Sequence, residues 1–487
     1  MTQTEITIAP TASEPGPGVP LTIAEAAQQL RSGQLTSVAL TGACFEVADR
    51  LDAKLGTYIV RYQDTALAAA KVADEELSAG VDRGPLHGIP IGIKDIIACQ
   101  EGQTTANSVV FDPGWCAGSD APVVARLRDA GAVITGKLTT MEYACGLPDA
   151  SKPYPVPRNP WDVATWPGGS SSGSGSGVAS GMFLGALGTD TGGSVRMPAA
   201  FCGITGMKQT YGLVPKVGCL PLGVTLDHIG PMTRSAADAA AMLTVMAGWD
   251  LRDPPDPSLR PGVVAKDYVA ALTGDLSGVT IGVDRAQFLD NPLDDPYLPA
   301  CFEAAVEVLA RAGATVVEVT VPLVEELGTA CLVTAMTEAF AFHLPNMQSR
   351  WGDYGAGMRA SVGQGALFSA ADYAQAQKVR RIGAARLAEL YRQVDLVVTP
   401  TACAGAPVLE GIEWDSFWKI LYTGYWNSVG VPSLSVPMGF TVGGMPLGLQ
   451  LNGRPFEDDV VLRAGDAFQR LTAHHLQVPP MALVDPA

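Results

Sequence analysis

Charge is scarce in this 487-residue chain: Asp, Glu, Lys and Arg together make up 17%. The charge present runs acidic, 32 basic against 49 acidic groups, a net −17. A chain of that sign does not attract a phosphate backbone or an anionic bilayer, so neither nucleic acid nor a membrane surface is an expected partner. Histidine is scarcer still, with only His87, His228, His343, His474 and His475. There is no H-E-x-x-H and no Cys/His cluster, so no bound metal and no cofactor is expected. The nine cysteines are odd in number and show no C-x-x-C spacing. That pattern fits free thiols in a reducing compartment. Residues 1–20, "MTQTEITIAPTASEPGPGVP", have neither the basic nor the apolar region of a signal peptide. They read as a disordered or extended arm, and the cytoplasm is the expected location. No unbroken run of 18 apolar residues occurs, so no membrane-crossing helix is expected.

What the chain has is apolar mass, 47% hydrophobic residues with 54 glycines, the make-up of a compact enzyme. "LTIAEAAQQLRSG" predicts a helix with Thr22 and Glu25 as a capping box and Gly33 as its stop. Helices are also predicted from about Ser37 and in "DTALAAAKVADEELSAG". "HGIPIGIKDII" is short and β-branched and reads as strand and turn. "VVARLRDAGAVITGKL" and "YLPACFEAAVEVLARAGATVVEVTVP" each read as helix, turn, strand. "DLVVTP", "SLSVPMGF" and "LGLQLNG" read as core strands before a closing helix in "EDDVVLRAGDAFQRLTAHH". Alternating helices and strands imply an α/β protein with a largely buried sheet. "GWDLRDPPDPSLRPG", Gly248 to Gly262, reads as an exposed connection.

Several catalytic signatures can be set aside. "GAVITGKL" approaches a phosphate-binding loop, but Leu138 stands where a hydroxyl is required and the loop positions are strand-like. G-x-S-x-G is absent, so no nucleophile elbow is indicated. His228 in "LDHIGPMTR" reads as a hydrogen-bonded structural residue rather than a catalytic base.

Three segments carry more. "PGGSSSGSGSG", Pro167 to Gly177, has the composition of a flexible tether. "GALGTDTGGSVRMPAA", Gly185 to Ala200, places backbone N–H groups beside a hydroxyl, which an oxyanion site needs, although spacing alone favours an ordinary turn. Lys94 follows six apolar or glycine residues, Gly88 to Ile93. A lysine on a buried strand is either neutral and basic or paired with a carboxylate such as Asp95, and the residues alone leave the two even.

Taken together, the segments "GIPIGIKD" (Gly88 to Asp95), "GGSSSGS" (Gly168 to Ser174) and "GTDTGGSVRMPA" (Gly188 to Ala199) resemble the amidase signature family. So do "NPWD" at Asn159 to Asp162, "GITGMKQTYGLVP", "GPMTRSAADAA" and the C-terminal "GVPSLSVPMGFTVGGMPLGLQLNGRPFEDDVVLRAGDAF". The resemblance implies one α/β domain over residues 21–487, a large mixed sheet covered by helices on both faces. It implies a Ser–Ser–Lys triad with Ser194 as nucleophile, Ser170 (its peptide bond cis) as bridge and Lys94 as base. It implies oxyanion donors at the backbone N–H groups of Thr191, Gly192, Gly193 and Ser194. The Gly/Ser stretch then belongs to an active site rather than to a tether. Where the family has Gly-Gly after the second Ser, this chain has Ser172-Gly173.

The implied activity is hydrolysis of a C–N bond in an amide, with carbamates and esters as further substrates. The rival is the glutaminase (A) subunit of a tRNA-dependent amidotransferase, to which "DYAQAQKVRR" and "GVPSLSVP" are also similar. A catalytically dead binding protein is disfavoured because all three triad positions are filled. "FWKILYTGYWNSVG" offers Lys419 and aromatics but no acid to hold a glutamine, which favours an uncharged small-molecule substrate. Met141, Tyr143, Tyr154, Phe417, Tyr422, Tyr425 and Trp426 are the expected pocket residues, about half of them filling core instead. The expected assembly is a monomer or homodimer.

Overall fold

The apolar, β-branched run before Lys94 forms a strand with no exposed residue, Pro90–Lys94. It belongs to a set of eleven: β1 (Tyr58–Arg61), β2 (Pro90–Lys94), β3 (Val133–Leu138), β4 (Gly185–Asp190), β5 (Thr205–Lys208), β6 (His228–Thr233), β7 (Thr280–Val283), β8 (Thr315–Glu318), β9 (Leu396–Pro400), β10 (Ser433–Phe440) and β11 (Pro446–Gly453). They form one sheet in the order β1-β3-β2-β4-β6-β5-β10-β11-β9-β7-β8. The sheet is mixed: β2 runs parallel to β3 and β4, while β4 and β6 are antiparallel. Every residue of β2 through β6 is buried, so both faces of the central sheet are covered, as near-continuous apolar strands require. This computed structural model describes residues 21–249, 262–413 and 418–483, together with residues 19, 256, 258 and 259. Phe417, most of the N-terminal arm and most of the Gly248–Gly262 connection lie outside the described residues.

Local signals hold in detail. The first helix, Ile23–Ser32, starts at Thr22, whose hydroxyl accepts the Glu25 N–H, and ends at Gly33 in the left-handed region. The capping box closes one residue early, because the Glu25 carboxylate takes the N–H of Leu21 rather than that of Thr22. The rejected phosphate loop is β3, a buried strand.

The Gly/Ser stretch departs from its composition. Residues Ser172–Ser180 form a helix in which all nine residues are buried. Ser and Gly are poor helix formers, so packing, not propensity, decides here. A Cβ on Gly173 would lie 2.5 Å from the Thr57 carbonyl oxygen and 2.7 Å from the Thr139 nitrogen. The serine hydroxyls donate to backbone carbonyls: Ser172 to Gly168, Ser174 to Leu187, Ser176 to Arg158 and Ser180 to Ser176. Small side chains let the helix approach the sheet, and their polar groups are satisfied as burial demands.

The helix Val324–Arg350 bears on the expectation about membrane-crossing helices without settling it. The stretch Val324–Asp353 is long and apolar enough, by length and composition, to cross a bilayer, although no unbroken apolar run announces it. It packs against the helix Ala370–Leu390, and the Glu338 carboxylate accepts from Thr225 and Tyr373.

Candidate active site

β2 and β4 are parallel neighbours, so the residues at their C-terminal ends emerge on the same edge of the sheet, where open α/β folds bind ligands. Lys94 is the last residue of β2, and the Thr191–Ser194 turn follows β4 directly. The Lys94 ammonium is fully buried and donates to Ser170 Oγ at 2.7 Å, Ser171 Oγ at 2.9 Å and Thr189 Oγ1 at 2.7 Å. Burial pulls its pKa down to about 7, with Cys219, Asp190 and Asp227 acting weakly the other way. Asp95 does not pair with it. That carboxylate turns to Lys137, 3.0 Å away and equally buried, which resolves the ambiguity in the sequence.

The hydroxyls around Lys94 differ. Ser171 Oγ accepts the Thr189 N–H and donates to the Thr189 carbonyl, so it is fully engaged. Ser170 Oγ accepts from Lys94 and is free to pass its own proton on; its peptide bond to Gly169 is cis. Ser170 and Ser194 line one cavity of about 280 Å3, and Ser194 is partly exposed to it.

The turn carrying Ser194 is held from below. Asp190 and Arg196, both fully buried, form a bidentate pair at 2.9 Å on each arm. Burial works to raise the Asp190 carboxyl, and the Arg196 guanidinium outweighs it, so Asp190 sits well below the usual carboxylate range. Arg196 also donates to Gln450, Asn427 and the Thr423 carbonyl. None of these partners was expected from the sequence; only the Asp and Arg of "GTDTGGSVRMPA" gave a signal. Asp190 accepts the N–H of Gly193 at 2.8 Å. One of the four expected oxyanion donors is therefore committed, and Gly193 does not line the cavity. Thr191, Gly192 and Ser194 do, and among the described residues their N–H groups meet no acceptor. Gly193 has φ +134°, which glycine adopts readily.

The cavity wall is apolar. The helix Val324–Arg350 contributes Val324, Gly328, Cys331, Leu332, Ala335 and Met336, a stripe at helical spacing that sequence reasoning missed. Trp418, Leu421, Tyr422, Gly424 and Tyr425 form a second side. Among the described residues, no charged side chain lines it.

Of the expected pocket residues, Tyr422 and Tyr425 reach the wall. Met141 is packed in a core cluster with Trp166 and Phe201. Tyr143 is buried against His343, its hydroxyl bonded to the Val110 carbonyl. Tyr154 bonds to Ser108 and borders a separate, polar groove. Trp426 is fully buried in the core. His228 bonds through Nδ1 to the Asp190 carbonyl, a structural role, and burial keeps its pKa well below the ordinary value. Away from the site, Cys99, Glu101 and Asp120 come within reach of one another, but Arg128 bonds to both carboxylates.

The Amidase family profile matches residues 39–462. The A subunit of glutamyl-tRNA(Gln) amidotransferase from Chloroflexus aggregans is 38% identical over 95% of this chain and 98% of its own. Native peptide amidase from Stenotrophomonas maltophilia superimposes with a TM-score of 0.81 at 31% identity, covering 93% of this chain and 97% of its own. A bacterial aryl acylamidase shares the fold, with a TM-score of 0.83 at 22% identity over 94% and 98% of the two chains. A lysine amine buried among serine hydroxyls at the edge of a mixed sheet and a match over most of the sequence agree: the chain belongs to the amidase signature family of amide C–N hydrolases.

Proposed function

We propose that this protein is a serine hydrolase of uncharged linear amides, cleaving aryl and alkyl acylamides through an acyl-enzyme on Ser194. Neutral Lys94 takes a proton from Ser170 Oγ, which takes one from Ser194 Oγ as that oxygen attacks the carbonyl carbon. The oxygen of the tetrahedral intermediate is met by the N–H groups of Thr191, Gly192 and Ser194. Collapse breaks the C–N bond, and the proton returns through Ser170 to the departing amine nitrogen. Water then attacks the ester by the same relay and releases the acid. Carbamates and esters present the same carbonyl and are expected as further substrates.

The observation that carries the substrate reading is the wall of the cavity, largely aromatic and aliphatic and, among the described residues, without a charged side chain. A zwitterionic glutamine would leave both its charges unpaired there, which is costly. The second reading, glutamine hydrolysis as the glutaminase component of an amidotransferase, draws its support from the 38% identical relative. Steady-state kcat/KM of the purified single chain on p-nitroacetanilide, an aryl carbamate and L-glutamine separates the two. The anilide is expected to lead, and a lead for glutamine overturns the apolar-substrate reading.

A further inference from the structure

The Gly192–Gly193 peptide is held at both ends. Its carbonyl accepts the Thr423 hydroxyl at 2.6 Å, and its N–H donates to Asp190 Oδ1 at 2.8 Å. The Thr423 carbonyl accepts from Arg196, and Arg196 grips Asp190. Thr423, Gly192, Gly193, Asp190 and Arg196 thus form a closed ring of hydrogen bonds, every side chain in it fully buried. Fixing this peptide plane leaves the flanking N–H groups of Gly192 and Ser194 beside the cavity those residues line. Thr423 itself stands between Tyr422 and Gly424, both in the cavity wall. Its side chain reaches the oxyanion turn while its neighbours reach the substrate space. Contact is close: a Cβ on Gly193 would fall 2.2 Å from Thr423 Oγ1.

We propose that Thr423 is a positioning residue for acyl transfer, its hydroxyl orienting the Gly192–Gly193 peptide so that the adjacent N–H groups meet the developing oxyanion. The inference rests on the acyl-enzyme reading above. It locates part of the machinery on the pocket segment 418–425 rather than in the glycine-rich motif. Donors that act only on the tetrahedral state change kcat and leave ground-state binding alone.

Thr423→Val removes the hydroxyl at nearly constant volume, and Thr423→Ser keeps it without the methyl group. On p-nitroacetanilide, Thr423→Val is expected to lose about tenfold to a hundredfold in kcat, less than the loss of a direct oxyanion donor, with KM within about twofold. Its affinity for a trifluoromethyl ketone, which Ser194 converts to a tetrahedral adduct, is expected to fall by a similar factor. Thr423→Ser is expected to stay within about threefold of the parent in both. Unchanged kcat in Thr423→Val, equal losses in Val and Ser, or a loss carried by KM each overturns the proposal. Thr423→Ala is read in the same way if the Val variant does not fold. A parent enzyme that forms no ketone adduct on Ser194 overturns the acyl-enzyme reading itself, and the proposal with it.

Discussion

Two buried lysines end two buried strands, Lys94 on β2 and Lys208 on β5. Burial lowers both to about 7. In sequence they look alike, "GIPIGIKD" and "GITGMKQT". Their surroundings do not. Lys94 meets three hydroxyls, one of which opens on the cavity. Lys208 donates to the Val431 carbonyl, lies near Arg196, Asp190 and Asp458, and borders no substrate space. A lowered pKa lets an amine be neutral at physiological pH; in the proposed relay, a rotatable hydroxyl leading to the nucleophile is what sets Lys94 apart as the base. Perturbed titration alone would have nominated both.

The largest effects should fall on the Lys94 side. Ser194→Ala is expected to remove turnover by a factor on the order of 10^4 or more and to abolish labelling by an activated phosphonate, read by mass spectrometry. A phosphonate adduct on a cysteine would remove Ser194 from its role. Lys94→Met should cost on the order of 10^3-fold in kcat, whereas Lys208→Met should stay within about threefold at pH 9. Equal losses would erase the contrast. Ser170→Ala comes next, at about a hundredfold, since water can partly replace the relay.

The pH profile sharpens the comparison further. Lys94 accepts a proton only when neutral, so kcat/KM should climb with pH through about 7 and level off under mildly alkaline conditions. Lys208→Met should keep that midpoint, and a profile flat down to pH 5 would exclude a lysine base. The smallest effect is on stability. Both amines have folded values near 7, while an unfolded lysine titrates near 10.4. Between about pH 7 and 10 the unfolded chain binds more protons, so these groups make stability rise with pH across that window. Lys208→Met should rise less than the parent when urea midpoints at pH 7.5 and 9.5 are compared.

Lys94, Ser170 and Ser194, the residues of the proposed relay, came from the resemblance of three contiguous, ordered motifs to a family, since spacing alone favoured an ordinary turn at Thr191–Ser194 and left Lys94 undecided. The pocket was not. Tyr425 lines the cavity and its neighbour Trp426 is core, and no linear signal separates them, since large apolar residues serve both purposes. The helix Val324–Arg350 was overlooked for a related reason: its apolar residues are spread around its circumference, and nothing in the linear pattern marks the side carrying Val324, Gly328, Cys331, Leu332, Ala335 and Met336 as the one with room beside it. Several strands, by contrast, were read correctly where β-branched or apolar residues clustered between turns, β2, β3, β8, β9, β10 and β11 among them, whereas β1 and β7 were not. The helix Ser172–Ser180 stayed hidden because tertiary packing overrode the propensities of its own residues.

That helix bears on how the chain can change. A run of two residue types is what a sequence filter discards as filler and what an engineer picks first for lengthening or tagging. Here a Cβ on Gly177 would lie 2.0 Å from the Phe183 ring, and one on Gly175 3.1 Å from Pro198. Each added methyl group must displace a packed neighbour, at about 1–3 kcal/mol. In a saturation library this monotonous stretch should therefore be among the poorest in surviving variants. Tolerance should return on the outer face of the helix Ala370–Leu390, where most side chains meet water and the sequence looks far more particular.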